Sequence, residues 1–341
     1  MSGYVRRATH AGTWYSSDPR ALARQVGGWF ADVRGGPNPG LSAVIGPHAG
    51  YTYCGRVLAH AYKHLDPAVV TRVVLLGPSH HFYARRSLLS SATSLETPFG
   101  ELPVDRSAVS SLASSGLFDV LSRSEDEEEH SIEMHLPFIA YVASSRGAGA
   151  NADLASSGES SRGSSPGGSP GRGARASRAA GAARSSSPAS LGISVVPIVV
   201  GDLDSAEEAR LGKLLEPLLE SPGTVLAAST DFCHWGRRFG YVRRDPSLPI
   251  HASIEALDAR GMAEIESGDP ERFFKYEEAT KNTICGRHAV GAVMHALREQ
   301  ALARGWGEKG AKRARFLAYD QSSKVVDPHD SSVSYASAIV A

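Results

Sequence analysis

Eight side chains of types that hold metal ions or move protons stand out because they sit in short polar strings rather than in apolar runs. IGPHAGY (Ile45 to Tyr51) carries His48, LLGPSHH (Leu75 to His81) carries His80 and His81, and ASTDFCHWG (Ala228 to Gly236) carries Asp231 and His234. Each string follows an apolar stretch that reads as a buried strand. In open α/β sheets the carboxyl ends of strands meet at one crevice, so these five residues are candidates for a single site. Cys285 and Gly286, in KNTICGRHAVGAVMHAL, precede an apolar helix whose N-terminal amides favour a thiolate. Neutral imidazoles and a thiolate are good ligands for a divalent transition metal, and three protein ligands leave positions open for water, dioxygen or substrate.

A further string, EDEEEHSIEMHLPF, places His130 and Glu133 three apart on one helical face, where the pair would orient a ligand or shuttle a proton. His130 and His135 are five apart, about 140° round a helix, which excludes a zincin-type pair. The alternative for His130 and Glu133 is that the pair only caps and solvates the helix start after the acidic run Glu125 to Glu129, which itself suits a helix N-terminus. Any single histidine is more often a hydrogen-bonded structural residue than a ligand, and only the clustering argues otherwise. Cys54 and Cys233 lie beside aromatic residues and read as packing. His288 is near enough to Cys285 in sequence to support it.

The elements that must position these groups alternate. Apolar runs at Ser42 to Ile45, Arg72 to Leu76, Ile193 to Val200, Thr224 to Ser229 and Arg315 to Tyr319 read as strands buried on both faces. Helical patterns are expected at Pro19 to Val33, Arg56 to His64, Val104 to Ser114, His130 to Val142, Ala206 to Leu219, Ile250 to Ser267, Pro270 to Thr280 and Arg287 to Arg304. The expected fold is a single-domain α/β sandwich around a largely buried mixed sheet, formed by residues 1–143 and 191–341. Between them, 40 of the 47 residues from Ser144 to Ser190 are Gly, Ser, Ala or Arg, a composition that predicts a disordered insertion.

Composition narrows the function classes. The chain has 341 residues with 36 basic and 36 acidic side chains, so it has no charge excess for wrapping nucleic acid or gripping anionic lipid. Three cysteines cannot close a disulfide framework, which points to a reducing compartment. No stretch has the apolar length of a membrane span, and Met1 to Tyr15 lacks a signal-peptide core. The expected location is cytoplasmic, with the nucleus as the alternative.

The strings HAGTWY, PHAGYTYCG, GPSHH, DEEEHSIEMHLPF, STDFCHWGRRF, NTICGRH and SSVSYA together resemble the Memo family, named for a mediator of receptor-driven cell motility. The resemblance spans nearly the whole chain apart from the insertion. It implies a fold like type III extradiol ring-cleaving dioxygenases and a metal site of His48, His80 and Cys285. His234 would belong to the same pocket, with Asp231 close by; in a metal-dependent redox reading His234 is the acid/base or oxygen-binding group, Asp231 orients it, and His81 is a further cofactor-binding candidate. Fe(II) is the first metal implied, copper the second and zinc the third. Family members are associated with redox chemistry and are also described as adaptors for phosphotyrosine-bearing signalling proteins. A thiolate in place of the dioxygenases' carboxylate favours softer metals, so ring cleavage does not follow from the fold. Two other readings compete with metal-dependent redox chemistry: a non-enzymatic phosphopeptide adaptor with Arg237 and Arg238 as cations, and a zinc hydrolase.

Overall fold

The structure is a computed structural model that describes residues 3–155 and 191–341, with the side chains of 146–155 excepted. Its centre is a sheet of nine strands among the described residues. Four neighbouring strands, Ala43–Gly46, Thr224–Ser229, Arg72–Pro78 and Ser194–Val200, run parallel. Their residues are buried almost without a break, because helices cover both faces. Antiparallel strands flank them: Ser332–Val340 pairs with Ala43–Gly46 on one side, and Ser87–Leu89 pairs with Ser194–Val200 on the other. Ala314–Gln321 pairs antiparallel with Ser334 to Val340 along the other edge of that strand. A small separate sheet joins Val5–Arg6, Ser94–Thr97 and Gly100–Pro103. The expected mixed α/β sandwich is therefore the fold observed.

Two crossovers explain how both faces become covered. The chain leaves Ala43–Gly46 through the helix Tyr51–Tyr62 and returns as Arg72–Pro78, stepping over Thr224–Ser229. It leaves Ser194–Val200 through the helix Ser205–Glu220 and returns as Thr224–Ser229, stepping over Arg72–Pro78 the opposite way. Right-handed connections in opposite directions place their helices on opposite faces. Accordingly Tyr51–Tyr62 packs with Pro19–Asp32 and Leu136–Ala155, whereas Ser205–Glu220 packs with Arg287–Ala303. Small residues permit both close approaches: a Cβ at Gly55 would strike Trp29, and one at Gly212 would strike His295.

Several expected boundaries move for identifiable reasons. The expected helix from His130 to Val142 is broken into one turn, His130–Glu133, and a second helix, Leu136–Ala155. Pro137 lies in the first turn of the second helix, where its missing N–H costs nothing. That helix runs beyond Ala143, so the start of the segment expected to be disordered is helical to Ala155; the rest of the expected insertion lies outside the described residues. The helix after His48 begins at Tyr51 rather than Arg56, leaving His48 in a short turn directly off its strand. The acidic run does stand at helix starts, with Glu125 and Asp126 in the first turn of Arg123–Glu128 and Glu129 capping His130–Glu133, but Asp126 and Glu129 are buried rather than solvated.

Candidate metal centre

His48 leaves the carboxyl end of Ala43–Gly46, His80 that of Arg72–Pro78, and Asp231 that of Thr224–Ser229; these are three neighbouring parallel strands. Cys285 arrives from the other direction, in the turn before the helix Arg287–Ala303. A ligand atom from each of His48, His80 and Cys285 lies within 4.8 Å of the other two. Cys285 Sγ is 3.2 Å from His48 Nε2 and also receives the Asp231 N–H at 3.3 Å. Gly286 makes this approach feasible, since a Cβ there would run into the Ser229 carbonyl.

Hydrogen bonds assign the His48 tautomer. The Ser229 hydroxyl donates its one proton to the Ser131 carbonyl at 2.7 Å, so it must accept from His48 Nδ1–H at 2.6 Å. The lone pair is therefore on Nε2, facing Cys285. Burial, followed by the neighbouring imidazoles, pushes the His48 pKa well below its ordinary value and keeps the ring neutral. His80 is held differently. Its backbone N–H and ring Nδ1 both meet the Glu129 carboxylate, at 2.7 and 3.0 Å. Glu129 is 1% exposed and also accepts from Ser131 N at 2.8 Å. Burial lowers the His80 pKa, but the Cys285 and Glu129 contacts outweigh it and raise it to about 10. A carboxylate behind an imidazole fixes the ring and raises its basicity, the arrangement usual behind metal-bound histidine.

The remaining predicted residues fall into two groups. Asp231 is 4% exposed, and its carboxylate accepts from His48 N at 2.9 Å, so it shapes the His48 turn. His234 turns Nδ1 toward the carbonyls of Phe232 and Thr283, at 2.9 and 3.0 Å; both accept, so Nδ1 carries a proton. His130 stacks on His80 at 4.3 Å between ring centroids and lies 5.5 Å from His48. Burial is the main cause that drives its pKa down to about 3. His81 is exposed and meets His130 edge-on at 5.7 Å.

Glu133 does not join this group. Its oxygens accept from Arg6 Nη1 at 2.8 Å, Tyr15 Oη at 2.8 Å and His10 N at 2.8 Å, with His10 Nδ1 at 3.0 Å. The turn His130–Glu133 thus sends His130 toward His48 and His80 and Glu133 toward the N-terminal segment. Through Glu133, His10 and Trp14 are brought to the outer side of His130, at 6.0 and 4.6 Å. His288 does not support Cys285: its Nδ1 pairs with Glu208 at 2.6 Å and its Nε2 with Asp202 at 3.2 Å. An open cleft lies beside Cys285, walled by Ser79, Phe82, Tyr83 and Asp202.

Sequence reasoning passes over Glu129, Ser229 and His10. Glu129 belongs to an acidic run resembling any solvated helix start, and Ser229 is the last residue of a strand. The adjacency of Glu129 to His130 is the one available signal.

The donor set suits a transition metal: two imidazole nitrogens and one sulfur, with both histidines oriented from behind by hydrogen bonds. A second set, His80, Glu129 and His130, also converges within 4.8 Å. It shares His80 with the first, and Glu129 already occupies His80 Nδ1, so the first set is the better cradle.

Comparison with known proteins places the chain. A family model described as Memo-like protein matches residues 6–148 and 190–339. Protein MEMO1 of Xenopus laevis is 38% identical over 333 residues, covering 97% of this chain and 95% of the relative. Protein MEMO1 of Homo sapiens is 37% identical with the same coverage, and Protein memo-1 homolog of Caenorhabditis elegans is 34% identical over 340 residues, 99% of this chain and 83% of the relative. With a family match on both sides of the insertion and relatives of this identity along nearly its whole length, the chain belongs to the Memo family.

Proposed function

We propose that this protein is a metal-dependent redox protein whose ion is held by His48, His80 and Cys285. The observation that carries this reading is the convergence of those three ligand atoms within 4.8 Å. Iron(II) is the first candidate and copper the second; zinc fits the same donors but has no redox couple. When bound, iron or copper would supply a one-electron couple and coordination positions open to dioxygen.

The chain's own residues do the rest. Ser229 fixes the His48 ring with its Nε2 lone pair toward Cys285, and Glu129 fixes the His80 ring through Nδ1, so that a bound metal would take the place of the proton on His80 Nε2. The Asp231 N–H donates to the Cys285 sulfur, which draws charge from it and moderates its donor strength. His234, partly exposed, is in this reading the group that gives or takes a proton. Metal analysis of protein purified without chelators, followed by oxygen-consumption and superoxide assays, tests the reading. Loss of both metal and signal in Cys285→Ser, with the fold retained, is the expected result; unchanged metal content refutes it.

An adaptor role is a second reading, supported by Arg237 and Arg238, both exposed shortly after His234. Their guanidinium groups suit a phosphotyrosine peptide on a signalling partner. Binding of such a peptide that survives complete metal removal would favour it. Among the described residues no helix is long and apolar enough to cross a membrane. A cytoplasmic site of action, linked to signalling and motility as the family resemblance implies, is part of this proposal.

A further inference from the structure

At one side the nine-stranded sheet ends in Phe118–Val120, which pairs in parallel with Ser87–Leu89 and has no strand on its other side among the described residues. Unpaired N–H and C=O groups on such an edge invite another chain, so proteins guard their edges with charge, proline or a cover. This edge is apolar instead. Leu117 is 39% and Val120 49% exposed, and Phe118 is half-buried between them. The one charge on the strand, Asp119, is already paired with Arg86 at 3.0 Å.

The edge borders an apolar groove. Leu117 and Phe118 lie along one side of it, and Leu203 and Leu214, just before and within the helix Ser205–Glu220, along the other. Arg85 and Arg210 also line the groove; both are exposed, and neither makes an ion pair among the described residues. Glu207, the carboxylate in the lining, is turned back onto the Asp204 N–H at 2.9 Å as part of the helix cap. Two cationic side chains are therefore left without a counter-charge beside an apolar trough.

Charge decides the occupant. A second copy of the chain would bring the same arginines together, and residues 156–190 carry five arginines against one acidic residue, so neither complements this groove. An extended acidic segment with apolar side chains does. Its backbone can pair with the open edge, its apolar side chains can enter the groove, and its carboxylates can meet Arg85 and Arg210. We infer that this sheet edge docks an acidic, apolar-bearing segment of a partner protein by strand addition. The surface lies apart from the His48, His80 and Cys285 cradle, and the inference does not rest on the metal.

Fluorescence anisotropy and amide hydrogen exchange on the full chain test this, with a short labelled peptide of alternating glutamate and valine as the probe. The expected results are saturable binding that weakens with added salt, and slower exchange in Phe118 to Val120 when the peptide is bound. Binding should weaken by about tenfold or more when Arg85→Glu and Arg210→Glu are combined, since like charges then face each other. Leu117→Asn should also weaken it, and the lysine–valine counterpart of the peptide should not bind. All three substituted residues are exposed, so the variants should fold. Absence of saturable binding, affinity that survives the charge reversal, or unchanged exchange along Phe118–Val120 would each overturn the inference. So would a dimer that the peptide dissociates, or binding that appears only once residues 156–190 are clipped away, because the occupant would then be a second copy or the chain's own insertion.

Discussion

Cys285 Sγ lies 3.2 Å from His48 Nε2, although 237 positions separate the two residues along the chain. The contact exists because a parallel strand delivers His48 and a helix start delivers Cys285 to the same end of the sheet. Replacing Cys285 with serine nearly keeps the volume and removes the soft donor. Metal stoichiometry in purified protein should fall to near zero, while the far-ultraviolet circular dichroism stays unchanged; a fully metallated Cys285→Ser protein would count against the cradle.

Glu129 reaches no ligand position in this cradle but holds His80 from behind. Removing such a carboxylate typically weakens a metal site about 10–100-fold. Glu129→Gln should therefore shift a competitive chelator titration by that factor, with Glu129→Asp recovering part of it. An unchanged titration with correctly folded Glu129→Gln would show that the carboxylate is only structural.

Gly286 sets how closely the sulfur approaches. In Gly286→Ala the new methyl meets the Ser229 carbonyl and Thr230, so the turn carrying Cys285 must retreat. Metal affinity should drop more than thermal stability does. Affinity equal to wild type would mean that the turn has slack.

Arg6 and Glu133 form a fully buried ion pair at 2.8 Å, and Arg6 also donates to the carbonyls of Asp126 and Glu129 at 2.9 and 2.7 Å. Glu133→Ala leaves a guanidinium buried without this partner, for which about 3–5 kcal/mol of destabilisation is typical. Urea unfolding at neutral pH is the measurement. The Glu133 pKa is depressed to about 2: burial opposes the shift, and His10 and Arg6 overcome it. A lowered folded-state pKa means that this stability is present above the ordinary carboxylate range and is lost as pH falls toward 2. The difference between wild type and Glu133→Ala should therefore narrow in acid.

Glu277 has the opposite sign. Burial raises its pKa from 4.5 to about 8, so its stabilising share is complete below the unfolded value and is lost as pH rises through 8. Glu277→Gln should be at least as stable as wild type at pH 9, by up to about a few kcal/mol, because each tenfold change in proton affinity is worth ~1.4 kcal/mol. At pH 4 the substitution should bring little gain. Denaturant midpoints at the two pH values decide it. A gain that is larger in acid contradicts the assignment.

Much of the frame and the ligand candidates are legible in the residue order. Runs such as Val73 to Leu76 and Val195 to Val200 are too apolar to remain solvated, so they form the central parallel strands, and polar strings at their ends gather at one edge. Ser332–Val340 gives no such signal, because its Ser-Tyr-Ala-Ser pattern has few β-branched residues; pairing with Ala43–Gly46 and Ala314–Gln321 is what buries it. The role of each carboxylate, by contrast, emerges only from packing in three dimensions. His130 and Glu133 share a helical period, yet one faces His48 and His80 and the other Arg6, because a one-turn helix wedged between two packed segments presents both its sides to protein. Glu129, one residue earlier, is the carboxylate that reaches His80. Local spacing says which side chains share a face; what that face meets is set by segments far away along the chain.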